Sequence, residues 1–319
     1  MNSFPSVLES IDDLSKDQIS NLISLTAINK KNINSPSYTS SRQSVVATIF
    51  LENSTRTKHS FAISALKMGA KYIDFNAETS SIKKGESLEE TFLTLFHQGV
   101  ELCIVRTGVT NQLSEFKKHP PIKLINGGDG VNEHPSQALL DLFTLMELSP
   151  SLSGKTLAIF GDIVHSRVAH SLIKLLPQFG LKVVICGPSD FTPKSHELPA
   201  HVEISHVRDE AISKCDFIYL LRIQKERHAT HLNHVGSGED YLTTYGVSLK
   251  DLKRLNKLVP VLHPGPANIG VEVDKDLIKS TLYKGYLQVE NSVPMRMAII
   301  QSMLDNNDNQ VGIIHGETV

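Results

Sequence analysis

The feature that most constrains this chain is a strand that hands over to a helix across a turn of hydroxyls. Val45-Val46-Ala47-Thr48-Ile49-Phe50-Leu51 is apolar and β-branched, which reads as a buried strand. Phe61, Ala65, Leu66 and Met68 then recur at helical spacing until Gly69. Between the two runs lies Glu52-Asn53-Ser54-Thr55-Arg56-Thr57. At such a junction the first helical N–H groups are free and the helix dipole is positive, so an anion is favoured. Arg56 can hold a phosphate or carboxylate through two parallel hydrogen bonds. An ordinary N-cap is the competing account, because Ser and Thr are common there.

The same unit repeats along the chain. Ser15-Lys16-Asp17-Gln18 and Ser87-Leu88-Glu89-Glu90 have the form of capping boxes that open helices. Tyr72–Phe75, Leu102–Arg106 and Lys123–Asn126 read as strands, and Pro135 is placed to start a helix over 135–148. Residues 76–86, with Ser80, Ser81, Lys83, Lys84 and Gly85, read as a mobile polar loop. Ser149-Pro150-Ser151-Leu152-Ser153-Gly154 has linker composition, and the alternation restarts after it. Thr156–Phe160, Lys182–Cys186, Phe217–Leu221 and Val259–Leu262 read as strands, and Pro294–Leu304 as an amphipathic helix. Repeated β–turn–α units imply an α/β protein with parallel sheets covered by helices, and such sheets bind ligands at the carboxyl ends of their strands. Arg56, Arg106 and the His134 segment all lie just past a strand.

Composition excludes several classes of function. A net charge of −2 gives no basic face for nucleic acid or for an anionic membrane. No apolar run approaches the roughly 20 residues a membrane span needs, and Met1–Asp12 lacks the pattern of a signal peptide. Cys103, Cys186 and Cys215 are far apart, form no CxxC pair and read as buried thiols of a reducing compartment. There is no cluster spaced to ligate metal. Gly161 belongs to no GxGxxG set and no GxxxxGK[ST] occurs, so dinucleotide and P-loop readings lack their anchor.

Seven polar segments now stand in order: Phe50–Thr57; Ser80 with Lys83-Lys84-Gly85-Glu86; Arg106; His134-Pro135-Ser136-Gln137; Gly161-Asp162 with Arg167; Leu221-Arg222-Ile223-Gln224; and His263-Pro264-Gly265-Pro266. On these segments the chain resembles the catalytic chains of the aspartate carbamoyltransferase family over essentially its whole length. The resemblance implies the aspartate/ornithine carbamoyltransferase fold, with a carbamoyl phosphate domain at 1–149, an aspartate domain at 150–290 and a C-terminal helix, 294–306, packing back on the first. It implies transfer of the carbamoyl group of carbamoyl phosphate to the amine of L-aspartate, an early step of de novo pyrimidine biosynthesis, with no cofactor and no metal.

Roles follow from the resemblance residue by residue. Ser54, Thr55, Arg56 and Thr57 would cradle the phosphate. Thr57, Arg106 and His134 would converge on the carbonyl oxygen. Gln137 with the Gly265–Pro266 backbone would read the carbamoyl amide. Arg167, Arg222 and Gln224 would hold aspartate, and Lys84 would touch both substrates. The resemblance also implies a cytoplasmic homotrimer in which Ser80 and Lys84 serve the neighbouring subunit's site, and it leaves open a dodecamer with regulatory chains. Two rivals stand beside it. An ornithine carbamoyltransferase would share the Ser-Thr-Arg-Thr and His-Pro-x-Gln elements, but it typically carries His-Cys-Leu-Pro where this chain has His263-Pro264-Gly265-Pro266. An inactive carbamoyltransferase-like scaffold would be expected to have lost active-site groups, and here none is lost.

Overall fold

The computed structural model describes residues 3–35, 43–223 and 238–305 of the 319. The chain divides into two compact units, Met1–Phe143 with Glu290–Val319, and Thr144–Val289. In chain order the first elements are β1 (Val7–Leu8), α1 (Lys16–Asn32), β2 (Val45–Phe50), α2 (Thr55–Lys67), β3 (Lys71–Phe75), α3 (Leu88–His97), β4 (Leu102–Thr107), β5 (Lys123–Asp129) and α4 (Pro135–Leu148). Then come β6 (Thr156–Phe160), α5 (Arg167–Leu175), β7 (Lys182–Cys186), β8 (Val202–Ser205), α6 (Arg208–Lys214), β9 (Phe217–Leu220), α7 (Gly238–Thr244), α8 (Leu249–Arg254), β10 (Val261–Leu262), α9 (Lys275–Lys279) and α10 (Gly285–Asp305).

Each unit holds one five-stranded sheet, ordered β1-β5-β4-β2-β3 in the first and β10-β9-β6-β7-β8 in the second. Every pairing is parallel. In both sheets the order reverses beside the strand that opens the βα alternation. In the first, the chain leaves β2 outward to β3 and returns on the other side as β4. In the second it leaves β6 to β7 and β8 and returns as β9. A crevice at the carboxyl ends of the strands is expected at each such reversal.

The cores explain why central strands lost their period of two. Ala47, Ile49, Cys103, Val105 and Leu124 pack with Phe92, Leu113 and Phe116 in the first unit, and the Phe92 and Phe116 rings meet edge to face at 5.3 Å. Ala158, Phe160, Val184, Cys186, Ile218, Leu220 and Val261 do the same with Val247, Leu252 and Leu277 in the second. Strands covered on both faces show near-continuous apolar runs. Both expected capping boxes form, with Ser15 Oγ accepting from Gln18 N at 3.2 Å and Ser87 Oγ from Glu90 N at 3.1 Å.

One expectation needs correction. The closing helix starts at Gly285, not at Pro294, and its second half is not amphipathic, since Met295 through Ile300 are all buried. An interior proline removes one helical hydrogen bond. Here its neighbours are pinned from α1 and α2: Lys30 Nζ donates to Asn291 Oδ1 at 2.7 Å, Ser64 Oγ to Val293 O at 2.9 Å and Asn29 Nδ2 to Pro294 O at 3.2 Å. Residues 76–86, expected as a polar loop, hold local structure of their own. They form two 3-10 turns, Ala77–Thr79 and Ser81–Lys84, capped by the side chains of Asn76 and Ser80.

Burial pushes the thiols of Cys103, Cys186 and Cys215 up to about 12. A thiol is reactive only as thiolate. Iodoacetamide at pH 8 is therefore expected to leave all three unmodified in the native protein and to alkylate all three in denaturant, read by intact mass. A native adduct would contradict the packing.

Candidate active site

In the first unit the turn after β2 lies at the point of reversal. Ser54 is the N-cap of α2 in extended backbone (φ −157°, ψ 105°), yet its side chain makes no capping hydrogen bond. Ser15 and Ser87, by contrast, cap their own helices. No acidic side chain stands in the first turn of α2 to compete for its N–H groups. Thr55 and Arg56 are exposed there, and among the described residues the Arg56 guanidinium has neither a hydrogen bond nor an ion pair. A free hydroxyl, a free cation and open N–H groups together make an anion cradle.

Register brings the next strand's arginine beside that turn. Arg106 in β4 pairs directly with Phe50, the last residue of β2, and Leu51 N donates to Arg106 O at 2.8 Å. Its guanidinium is held in place, since Nη1 donates to Gly127 O at 3.2 Å and Nε lies 3.6 Å from Glu52 Oε2. His134, just before α4, is buried, and its Nε2 meets Thr57 Oγ1 at 3.2 Å. Thr57 from the first βα turn and His134 from the last are thus in hydrogen-bond contact. Gln137 follows in the first turn of α4 and is buried.

A polar frame behind His134 was not anticipated. Asn126 Nδ2 donates to Glu9 O at 2.8 Å, to Asp129 Oδ1 at 2.8 Å and to Glu133 O at 3.3 Å. Asp129 Oδ1 accepts from Glu133 N at 3.0 Å, and its Oδ2 from Asn111 N at 2.7 Å. The Glu133 carboxylate accepts from Ser10 Oγ at 2.5 Å and Ile11 N at 3.1 Å. The backbone on both sides of Glu133 is fixed, and His134 is the next residue. Gly130 closes this turn at φ +44°, where a Cβ would stand 2.4 Å from Thr110 Oγ1. The signal in the sequence is three buried polar residues spaced three to four apart at the end of an apolar strand.

Ser80 and Lys84 stand apart from this cluster. Ser80 Oγ donates to Ala77 O at 2.9 Å and accepts from Ile82 N at 3.3 Å. Lys83 is paired with Glu78. Lys84 is exposed, and among the described residues its ammonium pairs with nothing in its own chain.

The second unit repeats the arrangement with other residues. Gly161 follows β6 at φ +127°, where a Cβ would come within 2.9 Å of Leu221 Cβ, so close approach of β6 and β9 accounts for the glycine. Asp162, buried, accepts from His165 N at 3.1 Å and faces His165 Nδ1 at 2.9 Å. Arg167 opens α5, capped by Ser166 Oγ accepting from Ala169 N at 3.2 Å. Arg222 lies two residues past β9, half-buried. Both arginines therefore follow the two strands that flank the reversal of this sheet. Gln224 lies outside the described residues.

Gly265 and Pro266 follow β10 and are joined by a cis bond. Gly265 N donates to His263 Nδ1 at 2.8 Å, so the ring proton sits on Nε2, which faces Glu272 Oε1 at 3.2 Å. Glu272 Oε1 also accepts from Asn268 N at 2.5 Å, and Gln288 Oε1 accepts from His263 N at 2.7 Å. The His263 ring thus holds this turn from within. Among the described residues no group of three or more His, Cys, Asp or Glu could hold a metal ion, and no helix is long and apolar enough to cross a membrane.

Comparison with known proteins finds two family profiles along the chain. The family profile described as "Aspartate/ornithine carbamoyltransferase, carbamoyl-P binding domain" matches residues 7–147, and that described as "Aspartate/ornithine carbamoyltransferase, Asp/Orn binding domain" matches 153–303. The aspartate carbamoyltransferase catalytic subunit of Thermus aquaticus is 43% identical over 262 residues, 81% of this chain and 84% of the relative. That of Malacoplasma penetrans is 39% identical over 301 residues, 94% of this chain and 97% of the relative. Aspartate transcarbamoylase from Trypanosoma cruzi, solved with carbamoyl phosphate, superposes with a TM-score of 0.83 at 28% identity, covering 94% of this chain and 96% of that one.

Proposed function

The chain belongs to the aspartate/ornithine carbamoyltransferase family, and from that membership we infer that its two clusters divide the substrates, the first unit seating carbamoyl phosphate and the second L-aspartate. The reaction is aspartate carbamoyl transfer, an early step of de novo pyrimidine biosynthesis. The amine of L-aspartate attacks the carbonyl carbon of carbamoyl phosphate. The new C–N bond forms, the bond from carbon to the bridging oxygen breaks, phosphate leaves with the electron pair and the nitrogen loses a proton. The products are N-carbamoyl-L-aspartate and phosphate.

Charge develops on the carbonyl oxygen and on the leaving phosphate, so fixed donors aimed at both lower the barrier. The proposed cradle is Ser54, Thr55, Arg56 and Thr57 for the phosphate, with Thr57, Arg106 and His134 on the carbonyl oxygen. Gln137 and the Gly265–Pro266 backbone read the amide. Arg167 and Arg222, with Gln224, take the two carboxylates of aspartate. The observation that carries this reading is the contact between Thr57 and His134 at 3.2 Å beside a helix start whose serine and arginine are left uncommitted. Phosphate release with carbamoyl phosphate plus L-aspartate, set against the same assay with L-ornithine, is the test. Turnover with ornithine alone would overturn the assignment of Arg167 and Arg222.

We further propose a cytoplasmic homotrimer whose sites draw Ser80 and Lys84 from the neighbouring subunit. Native mass spectrometry reads that assembly, including any larger one built with regulatory chains.

The division of substrates sets a second expectation. Arg222→Ala should raise the aspartate KM by about a hundredfold, because a buried carboxylate loses its charge-assisted partner. Calorimetry of carbamoyl phosphate binding to the same variant should change little. Equal loss for both ligands would refute the division.

A further inference from the structure

Gln137 has a partner that decides how it can act. Its Nε2 donates to Asp141 Oδ1 at 2.9 Å, one helical turn further along α4. Asp141 is fully buried, and Gln137 is 9% exposed. An ionised carboxylate only accepts hydrogen bonds, whereas a glutamine amide has one face that donates and one that accepts. Beside Asp141 the amide can therefore rest in only one of its two flips. The NH2 turns inward, and the carbonyl Oε1 is left for a ligand.

A buried carboxylate needs a nearby positive charge to stay ionised. Arg296 of α10 supplies one. It is 1% exposed, and its guanidinium lies 4.9 Å over the Phe61 ring of α2. Burial draws the Arg296 pKa down to about 9, and the Asp141 charge works against that fall. The arginine thus stays cationic at neutral pH.

Resting on the assignment of Gln137 to the carbamoyl amide, we infer that Asp141 is a positioning residue that fixes the Gln137 side chain with its oxygen toward the substrate, so that the site selects an acyl phosphate bearing an NH2 over one bearing a methyl. The carbamoyl NH2 is a donor and matches Oε1. Acetyl phosphate has the same size and phosphate but offers that oxygen no proton. A site built around a hydrogen bond discriminates strongly against an analogue that cannot make it, because the buried polar group is then left unpaired.

The test compares three ligands on three proteins. The KM for carbamoyl phosphate and the inhibition constants of acetyl phosphate and inorganic phosphate are measured for the wild type, Asp141→Asn and Gln137→Ala. Asparagine keeps the shape of aspartate but can donate or accept, so Gln137 can rest in either flip. The preference for carbamoyl over acetyl phosphate is expected to fall about tenfold in Asp141→Asn and at least as far in Gln137→Ala. Inhibition by inorganic phosphate, which reports on the turn at 54–57, is expected to stay within about twofold in both. A purely structural role for Asp141 would weaken all three ligands together and leave the preference intact, and that result overturns the inference. If Gln137→Ala also keeps the preference, the assignment of Gln137 has failed and the inference falls with it. Should Asp141→Asn fold poorly, Asp141→Asn with Arg296→Met removes both buried charges and carries the same comparison.

Discussion

Arg56→Ala is expected to lower carbamoyl transfer by roughly a thousandfold, the scale seen when a donor aimed at developing charge is lost, while leaving thermal stability unchanged. The two halves of this expectation have separate physical grounds. Arg56 is exposed in the first turn of α2, and among the described residues it pairs with nothing, so its removal opens no cavity and orphans no partner. Exposed substitutions of that kind usually fall within about 0.5 kcal/mol of neutral. Function is another matter, because the guanidinium is the only full positive charge in Ser54–Thr57 and the leaving phosphate gains charge as the bond breaks. The variant should also lose inhibition by inorganic phosphate, which binds through the same turn. Near-normal turnover at saturating carbamoyl phosphate would remove the turn from the mechanism.

How much of this was legible in the sequence depended on how each element is buried. β2, β4, β6, β7 and β9 lie within their sheets, carry continuous apolar runs, and were readable within a residue or so. β1, only Val7–Leu8, and β8, with Glu203 in it, are edge strands too short or too polar to stand out. The helices α6, α7, α8 and α9 are five to seven residues long, too short to build a periodic pattern. Pro294 misled for a definite reason. Proline favours a helix's first turn, and only the contacts from Lys30, Asn29 and Ser64 explain how a helix accommodates it in the middle.

The candidate site was legible in its ligand-facing residues and not in what holds them. Ser54 through Thr57 and His134 each follow a strand in the sequence and Arg106 ends one, but only the β2–β4 register places Arg106 opposite Phe50, and only the fold puts Thr57 against His134. Apart from the spacing of Asn126, Asp129 and Glu133, the supporting residues carry no local signature. Asn126 reads as the end of a strand, Asp129 as part of a glycine-rich turn and His263 as part of a proline-rich turn, while Asp141 is one charge within the helix expected over 135–148. Their work depends on partners up to 155 positions away, as with Asp141 and Arg296. Tertiary partners of that kind cannot be read from spacing.

Activity is expected to reappear when two inactive variants, Lys84→Ala and Arg56→Ala, are mixed by mild dissociation and reassembly. The argument starts from two side chains that behave alike in the isolated chain. Arg56 and Lys84 are both exposed, and both lack an ion-pair partner among the described residues. Arg56 sits on the turn it is proposed to serve. Lys84 closes a 3-10 turn that ends at Gly85 (φ +96°), and Ser80 caps the start of that turn by accepting from Ile82 N. In a cyclic trimer the interfaces are head-to-tail, so a loop of one subunit meets a different surface of the next. If Lys84 serves the neighbour and Arg56 its own chain, every mixed trimer contains one site with both residues intact. Recovery should therefore approach about a third of wild type per mixed trimer by this counting of sites. Circular dichroism on each variant excludes a folding defect, and native mass spectrometry establishes that mixed trimers have formed. Mixed trimers that stay at the background of the separate variants would mean that Lys84 acts within its own chain, and the shared site would have to be abandoned.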